Sequence, residues 1–388
     1  MKIAIVSSNE QLTPPPDNVI VASMNVSTFQ TVGLSALGHE VYAVVGKGST
    51  IKTHRVESFS KPVFETIDKE VWQSTGNSRL MYQIIVPFEI DLHLTLLDFL
   101  KTHQVDLVHF HTIKPYIGLP FAMRVNVPCF FTLHSPGTAI EVDTMKAFNS
   151  KNIHYISISK NQQKSYGGLQ FAGTVHNGLD LKASTFNVKG GNNLVIGARI
   201  LPEKGIYEGI LAAGKTGKNL DIAGEVRSSS NQYYIQKIEP LLKQYKNIQF
   251  LQFMNHNLMN SFFGTGKASL VPIQWEEPFG LVMIESMATG TPVIAFARGS
   301  VPEVIKDGET GFIVNSSDDD IRGNWVIKKT GIDGLCEAIE KVYTMSEDRY
   351  QDMRRACRNH VEQNFTVEKM AKGYEKIYQE VLSESLTI

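Results

Sequence analysis

The chain has 388 residues, 42% of them hydrophobic, which is enough for two domains with separate cores. Its 38 basic and 39 acidic residues give a net charge of −1, whereas a nucleic-acid-binding protein needs a basic excess. The three scattered cysteines lack metal-site spacing and favour a reducing, cytoplasmic location. The first apolar run is too short for a signal peptide, and no run approaches the roughly 20 apolar residues of a membrane span.

Short apolar runs alternate with helical patterns through the first half of the chain. Helices are predicted over about 24–37, where Gly38 ends the pattern, and over 94–103. Strands are predicted at residues 2–8, 39–46, 105–111, 127–134 and 153–159. Each strand is almost continuously hydrophobic, which is typical of parallel strands buried on both faces.

The same alternation restarts after a polar, Gly-rich stretch at 187–193, which we interpret as an interdomain linker. Strands are predicted at 194–199, 220–224, 248–253, 268–273 and 291–296, with an amphipathic helical tail over 347–385. This order predicts an α/β protein with two tandem Rossmann-like domains, each a doubly wound parallel sheet, and a cleft between them.

A candidate ligand site follows the strand at 268–273, because ligands of open α/β sheets bind at the carboxyl ends of strands. A helix is predicted from about Gly280 to Ala288. The backbone N–H groups of Phe279, Gly280 and Leu281 at its start would bind an anion or sugar hydroxyls.

Two carboxylates accompany this helix start. Glu277 precedes it, and Glu285 interrupts the apolar run of the helix itself. A carboxylate accepts two hydrogen bonds at once and therefore suits a vicinal diol, so Glu285 would hold a ribose and Glu277 the attached sugar. The alternative is that Glu285 faces solvent and that Glu276 and Glu277 only favour the helix N-terminus.

Cations and histidines also stand at predicted strand ends. In GARILPEKG, Arg199 and Lys204 are five residues apart and could bind a diphosphate, although such residues are usually solvated. In DLVHFH, His109 and His111 lie on one face of a strand, and His134 ends the strand in FFTLHSPG. A strand-end histidine bonded to neighbouring groups is the alternative, and no third ligand nearby supports a zinc site.

About forty residues, EEPFGLVMIESMATGTPVIAFARGSVPEVIKDGETGFIV, resemble the donor-site signature of family 4 retaining glycosyltransferases, which have the GT-B fold. Glu277 and Glu285 match the E-x7-E motif of that family. GARILPEKG is similar to the family's GRLxPEKG, and DLVHFH resembles DVVHxH.

The resemblance implies roles for individual residues. Arg199 and Lys204 would contact the donor phosphates and stabilise the leaving group, while His111 would lie near the sugar and His134 would line the acceptor side. The implied catalytic residues are His111, Arg199, Lys204 and Glu277, and the implied donor-binding residues are Arg199, Lys204, Phe279, Gly280, Leu281 and Glu285.

The resemblance further implies a hexosyltransferase that moves a sugar from a UDP- or GDP-sugar to a hydroxyl of a glycan, lipid or small metabolite. No metal and no permanently bound cofactor would be required, and a lipid acceptor would bring peripheral membrane contact. Residues 1–185, joined by a C-terminal helix at about 368–388, would form the acceptor domain, and residues 192–367 the donor domain.

One feature departs from the family pattern. Members commonly carry a Gly-Gly loop after the first strand, but here Pro14–Pro16 and ALGHEV are present without an intervening Gly-Gly. We therefore assign no donor contact to the N-terminal domain. The alternatives to a transferase are a non-catalytic or weakly active nucleotide-sugar-binding protein, or another GT-B enzyme such as an epimerase or a glucan synthase.

Overall fold

The structure is a computed structural model that describes residues 1–17, 19, 21–67, 78–112, 114–148, 150–227 and 230–385. The chain divides into two compact units. Unit 1 comprises Met1–Gly178 with Val367–Ile388, and unit 2 comprises Leu179–Thr366.

Unit 1 contains a seven-stranded sheet in which all neighbouring strands are parallel. Its strands are β1 Lys2–Val6, β2 Glu40–Val45, β3 His54–Glu57, β4 Leu107–Phe110, β5 Cys129–Leu133, β6 Ile153–Ser157 and β7 Phe171–Thr174. They lie in the order β3-β2-β1-β4-β5-β6-β7, so the winding direction reverses between β1 and β4. Ligands of such sheets bind beyond the carboxyl ends of the strands at this reversal.

Unit 2 contains a six-stranded parallel sheet of the same kind. Its strands are β8 Asn193–Gly197, β9 Leu220–Ala223, β10 Ile248–Phe250, β11 Gly266–Val271, β12 Val293–Phe296 and β13 Gly311–Val314. The order β10-β9-β8-β11-β12-β13 places the reversal between β8 and β11. The prediction of two parallel-sheet α/β domains is therefore confirmed.

Helices cover the two sheets. They are α1 Ala22–Ala36, α2 Val63–Thr66, α3 Ser78–Phe99, α4 Pro115–Ala122, α5 Ala139–Ala147, α6 Ile206–Thr216, α7 Asn231–Tyr233, α8 Glu239–Gln244, α9 His256–Gly264, α10 Leu281–Ala288, α11 Val301–Val304, α12 Gly331–Tyr343, α13 Glu347–Asn364 and α14 Val367–Ser385. A π-helical segment, Tyr234–Ile238, connects α7 to α8. Among the helices of the described residues, none combines the length and the apolar character needed to cross a membrane.

The sheet of unit 1 is buried on both faces, as its continuous apolar strands predict. On β1, Ile3 and Ile5 pack into a core that includes α14, while Ala4 and Val6 pack into the opposite core with α3. Alternate residues of a strand point to opposite faces, so both faces of β1 need apolar side chains.

Helix α14 packs closely on α1, although it lies at the other end of the sequence. A Cβ atom added to Gly33 of α1 would lie 2.8 Å from the Cβ of Ala371 in α14. A glycine is therefore required at this crossing, and the close approach brings the side chains of α14 into the core of unit 1.

The Gly-rich stretch at 187–193, predicted as a linker, is a packed part of unit 2. The side chain of Asn187 accepts a hydrogen bond from the N–H of Gly190 (3.1 Å) and donates one to the carbonyl of Gly264 (2.9 Å). The fully buried Arg354 guanidinium donates to the carbonyl of Asn187 at 2.8 Å. These residues form a turn around a buried arginine, and the division between the units falls earlier, after Gly178.

Candidate active site

The loops that follow β8 and β11 meet at the reversal of the unit 2 sheet. Arg199 lies just after β8, and the loop continues to Gly205, which has a left-handed φ of 69°. A Cβ atom at Gly205 would lie 1.8 Å from the carbonyl oxygen of Pro272, so only glycine fits there. The N–H of Gln274 donates to the carbonyl of Glu203 at 2.8 Å, which joins the two loops directly.

This junction brings Lys204 and Glu277 together. The Lys204 Nζ lies 2.6 Å from the Glu277 Oε2, and the two side chains are 18% and 12% exposed. Trp275 donates from its indole Nε1 to the same carboxylate oxygen at 3.0 Å, and the Lys204 Nζ lies 5.0 Å from the centre of the Trp275 ring. The cation and the acid that the sequence singled out therefore neutralise each other in this state.

Arg199 supplies a second positive charge beside this pair. Its side chain is exposed, yet the surrounding loops desolvate the guanidinium enough to lower its pKa, and the positive charge of Arg227 lowers it further. The negative charges of Glu203 and Glu277 act in the opposite direction. An arginine stays protonated at neutral pH, so this corner of the site is suited to an anion.

The backbone of Glu277 is fixed by the loop after β12. The Ser300 N–H donates to the Glu277 carbonyl at 2.9 Å. Gly299 has a φ of 59°, and a Cβ atom there would lie 2.3 Å from the Glu277 nitrogen and 2.2 Å from its oxygen. The neighbouring Glu276 has a different task, because its carboxylate accepts from the Gly299 N–H at 2.9 Å and binds Arg322. Glu276 thus clamps the loop that positions Glu277.

We expect the substitution Gly299→Ala to lower kcat/KM for the nucleotide-sugar donor that the sequence resemblance implies by about 10- to 100-fold, because the added methyl group must displace the backbone of Glu277. The measurement is steady-state turnover of the donor. Gly308→Ala is the matched control, since Gly308 also has a positive φ of 79° but only a valine methyl carbon nearby, at 3.1 Å. Equal loss of activity in both variants would show that backbone strain, and not the position of Glu277, causes the effect.

Helix α10 begins as predicted beside Glu277. Gly280 precedes it with a φ of 77°, and among the described residues no side chain caps its first turn. A Cβ atom at Gly280 would lie 3.2 Å from the Glu277 Cγ, so glycine gives the carboxylate room to lie along the helix start. Phe279 is buried, and its carbonyl accepts from the Ser300 hydroxyl at 2.7 Å. The helix start is thus anchored by the loop that also holds Glu277.

Glu285 is the partly exposed residue in an otherwise buried stretch of α10. Its neighbours Met283, Ile284, Ser286 and Met287 are all buried. The carboxylate therefore lies on the open face of α10, within two turns of the helix start. Glu285 thus stands in the helix that directly follows the loop of Glu277.

In unit 1, His111 and His134 form a hydrogen-bonded pair after β4 and β5. The His111 Nδ1 lies 2.9 Å from the His134 Nε2, and the His111 Nε2 contacts the side-chain carbonyl of Gln30. His111 is only 1% exposed, and this burial lowers its pKa well below the ordinary value, with smaller effects from His109 and His134. The structure therefore places His111 as a neutral, internally bonded residue.

His109 is bonded entirely within unit 1, although it lies two residues from His111. Its Nε2 lies 2.8 Å from the Thr132 hydroxyl, and its Nδ1 lies 2.6 Å from the Tyr378 hydroxyl of α14. The ring stacks on that of His111 with centroids 4.6 Å apart. Within the described ranges of the chain, no three His, Cys, Asp or Glu residues are grouped so as to hold a metal ion.

His134 is the member of this pair that reaches a small cavity. The cavity is lined by Thr112, Lys114, Pro115, Thr132, His134, Ser135, Pro136, Glu141 and Tyr166. Burial lowers the pKa of His134 to about 4, so it is neutral at physiological pH. The Lys114 Nζ lies 2.6 Å from the Glu141 Oε1, so a charged pair also lines the cavity.

Sequence reasoning missed several residues that shape these sites. Trp275 directly precedes the EEPFG motif, and its position beside Glu277 could have signalled a contact to the carboxylate. Gln30 is a fully buried amide inside α1, and a polar residue on the apolar face of a predicted helix is such a signal. The tyrosines of α14 gave none, because they are far from the histidines in sequence.

Comparison with known proteins finds similarity over part of the chain. Residues 180–360 match the family model of glycosyl transferases group 1. The N-acetyl-alpha-D-glucosaminyl L-malate synthase of Bacillus anthracis is 34% identical over 109 residues, 28% of this chain and 25% of that protein. The chain therefore matches only about a third or less of the length of the first curated relatives, namely 35%, 25% and 33%.

Solved structures match the whole chain. Sucrose-phosphate synthase from Thermosynechococcus elongatus has a TM-score of 0.74 at 19% identity and covers 99% of this chain and 100% of its own. Anabaena HepE, solved in complex with UDP and glucose, has a TM-score of 0.68 at 15% identity over 98% of this chain and 100% of its own. The chain therefore has the GT-B fold.

Proposed function

We propose that the chain is a retaining family 4 glycosyltransferase of the hexosyltransferase type, with a UDP- or GDP-sugar as donor. The observation that carries this proposal is the Lys204–Glu277 pair, 2.6 Å apart beside Arg199, at the reversal of the unit 2 sheet. Two cations and a carboxylate beyond the carboxyl ends of neighbouring strands suit a diphosphate joined to a sugar. The HepE complex with UDP and glucose supports such a donor on this fold.

Arg199 and Lys204 act on the diphosphate. As the bond between the anomeric carbon and the diphosphate oxygen breaks, its electron pair passes to the diphosphate, and the two cations stabilise the added charge. The acceptor hydroxyl forms its new bond on the same face of the sugar, and its proton passes to the departing phosphate oxygen. Lys204 must exchange Glu277 for phosphate when the donor binds, which frees the carboxylate for the sugar.

Glu277 then orients the sugar hydroxyls, and Glu285 holds the ribose from the open face of α10. The backbone N–H groups at Phe279, Gly280 and Leu281, together with the helix dipole, contribute the remaining positive potential. In this proposal the two cations and the helix start meet the donor charge without a metal ion.

Unit 1 contributes the acceptor side. His134 lines a polar cavity and His111 supports it from a buried position, in keeping with a role of His111 in turnover. The acceptor is a hydroxyl of a glycan, lipid or small metabolite, and a lipid would bring the protein to a membrane surface. The three cysteines are free thiols, which agrees with a cytoplasmic location.

A nucleotide-sugar-binding protein without catalytic activity is the second candidate, and the loop after β1 favours it. The N–H of Asn9 and the hydroxyl of Ser8 both donate to the buried carboxylate of Glu89, at 2.8 and 2.9 Å. That loop therefore directs its donors to a side chain of unit 1, where a Gly-Gly loop would direct them to phosphate. Slow hydrolysis of a nucleotide sugar in the absence of acceptor distinguishes an enzyme from a binding protein.

A thermal-shift series tests the donor proposal. UDP, GDP or one of their sugars should raise the unfolding midpoint, because a ligand at 100 times its Kd adds about 2.7 kcal/mol to the folded state. ADP and its sugars serve as base-specificity controls. The shift should shrink in Lys204→Ala and persist in Lys306→Ala, since the Lys306 side chain is 51% exposed and its pair with Glu309 is 3.9 Å long. No shift with any nucleotide would contradict the proposal.

A further inference from the structure

We propose that Gln30 is a positioning residue that determines which ring nitrogen of His134 carries the proton, acting through His111. The inference rests on the proposed function only where it assigns the use of His134, to accept a hydrogen bond from a substrate hydroxyl. The hydrogen-bond argument itself depends on the contacts of unit 1 alone.

The first step is the contact between Gln30 and His111. Gln30 is fully buried in α1, and its side-chain carbonyl contacts the His111 Nε2. A carbonyl oxygen can only accept, so the His111 Nε2 must carry the proton and donate it. A buried, neutral His111 then has an unprotonated Nδ1.

The second step passes this choice to His134. The unprotonated Nδ1 of His111 lies 2.9 Å from the His134 Nε2, so the His134 Nε2 must carry the proton and donate it. A neutral imidazole has one N–H only, which leaves the His134 Nδ1 unprotonated. Among the described residues this Nδ1 has no hydrogen-bond partner, and His134 lines the cavity.

The third step explains what holds the Gln30 amide in this orientation. Its Nε2 donates to the Tyr378 hydroxyl at 2.5 Å, and Tyr378 in turn donates to the His109 Nδ1 at 2.6 Å. The His109 Nε2 then donates to the Thr132 hydroxyl at 2.8 Å. Turning the amide over would reverse every one of these bonds together, so the network behaves as one unit with a defined direction.

The direction of these hydrogen bonds matters because it decides whether the ring nitrogen of His134 left without a partner among the described residues accepts or donates a hydrogen bond. The titratable groups around His134 are His111 and His109 on one side, and Lys114, Glu141 and Tyr166 along the cavity, while Lys114 and Glu141 are paired at 2.6 Å. An unprotonated Nδ1 accepts a hydrogen bond from an alcohol, whereas an N–H at the same place would compete with the alcohol as a second donor. Gln30 therefore prepares His134 to bind a hydroxyl group.

Nitrogen-15 NMR of the full chain with labelled histidines tests the inference at pH 7 without any substrate. The expected result is a protonated Nε2 and an unprotonated Nδ1 on both His111 and His134. A protonated Nδ1 on His134 would overturn the proposal. Gln30→Met has a similar shape but no acceptor, and it should convert the single form of His134 into a mixture of the two tautomers. Gln30→Glu keeps an acceptor oxygen toward His111 and should restore the single form.

Activity supplies a second measurement. Gln30→Met should lower kcat for transfer about tenfold with little change in KM for the donor, and Gln30→Glu should recover part of that loss. An unchanged His134 tautomer in a folded Gln30→Met would also overturn the proposal. If Gln30→Met does not fold, the wild-type spectrum and Gln30→Glu decide the question. Absence of transferase activity with the expected wild-type spectrum would contradict the proposed function and leave the role of Gln30 intact.

Discussion

Replacing Glu277 by glutamine should lower the turnover of a nucleotide sugar by about 100-fold or more while leaving nucleotide binding intact or stronger. The loss follows because an amide cannot replace a carboxylate that accepts two hydroxyl hydrogen bonds as the sugar reacts. The retained binding follows because Lys204, now 2.6 Å from the Glu277 carboxylate, would be released from its partner and free to meet the diphosphate. Steady-state kinetics and titration with UDP or GDP measure the two effects separately.

Glu309→Gln is the matched control for this substitution. Glu309 lies in the same unit, its side chain is 70% exposed, and its pair with Lys306 is 3.9 Å long. Removing that charge should change neither turnover nor nucleotide binding, since exposed ion pairs contribute little. Turnover at the wild-type rate in Glu277→Gln would eliminate the proposed role of the carboxylate. Loss of nucleotide binding in parallel with turnover would instead mean that Glu277 organises the loop.

The predictable part of the fold was the set of strands that lie within continuous apolar runs of the sequence. The strands not predicted were β3, β7 and β13. β3 and β7 are the two edges of the unit 1 sheet, where a strand needs no continuous apolar run, as HRVE in β3 shows. β13 is fully buried, but four apolar residues do not distinguish a strand from a buried turn of helix.

The predictable part of the site was the set of residue types at strand ends. Arg199, Lys204 and Glu277 stood out because charged residues follow apolar strands there. The sequence could not show that Lys204 and Glu277 touch, because they are 73 residues apart and their contact depends on Gly205 fitting against Pro272.

The histidine network was still less accessible to sequence reasoning. Gln30 meets His111 across 81 residues, and Tyr378 meets His109 across 269. Neither pair follows from a local pattern, because the first requires α1, and the second α14, to pack beside the end of β4. The sequence therefore indicated which histidines stand at strand ends, and the packing decided which of them reaches a cavity.

Acidification from pH 7 to 5.5 should destabilise unit 1 by several kcal/mol. Its buried His93, His109 and His111 and the half-buried His134 all have pKa values lowered by desolvation, to about 4 for His93 and His134. The histidines of the unfolded chain take up protons near pH 6.5, whereas those of the folded unit do not. The free energy of unfolding is therefore at its full value above pH 6.5, and it falls as the pH drops from there to the folded pKa. Each histidine contributes about 1.4 kcal/mol per pH unit, so four of them approach a typical domain stability.

His93→Leu tests this linkage, because His93 is fully buried and its ring lies between Phe110 and Phe121, with centroids 5.6 and 4.9 Å away. Urea unfolding at pH 7 and at pH 5.5 should show that acidification lowers the free energy of unfolding of His93→Leu by about 1.4 kcal/mol less than that of the wild type. A pyridyl disulfide reagent, which reacts with accessible thiols, then shows which of the two units unfolds on acidification.

The buried Cys129 of unit 1 should become reactive at pH 5.5 before the buried Cys357 of unit 2. His103→Gln is the control, since His103 is exposed and its removal should leave the pH dependence unchanged. An unaltered pH dependence in His93→Leu, or earlier reaction of Cys357, would mean that the acid sensitivity arises outside this histidine cluster.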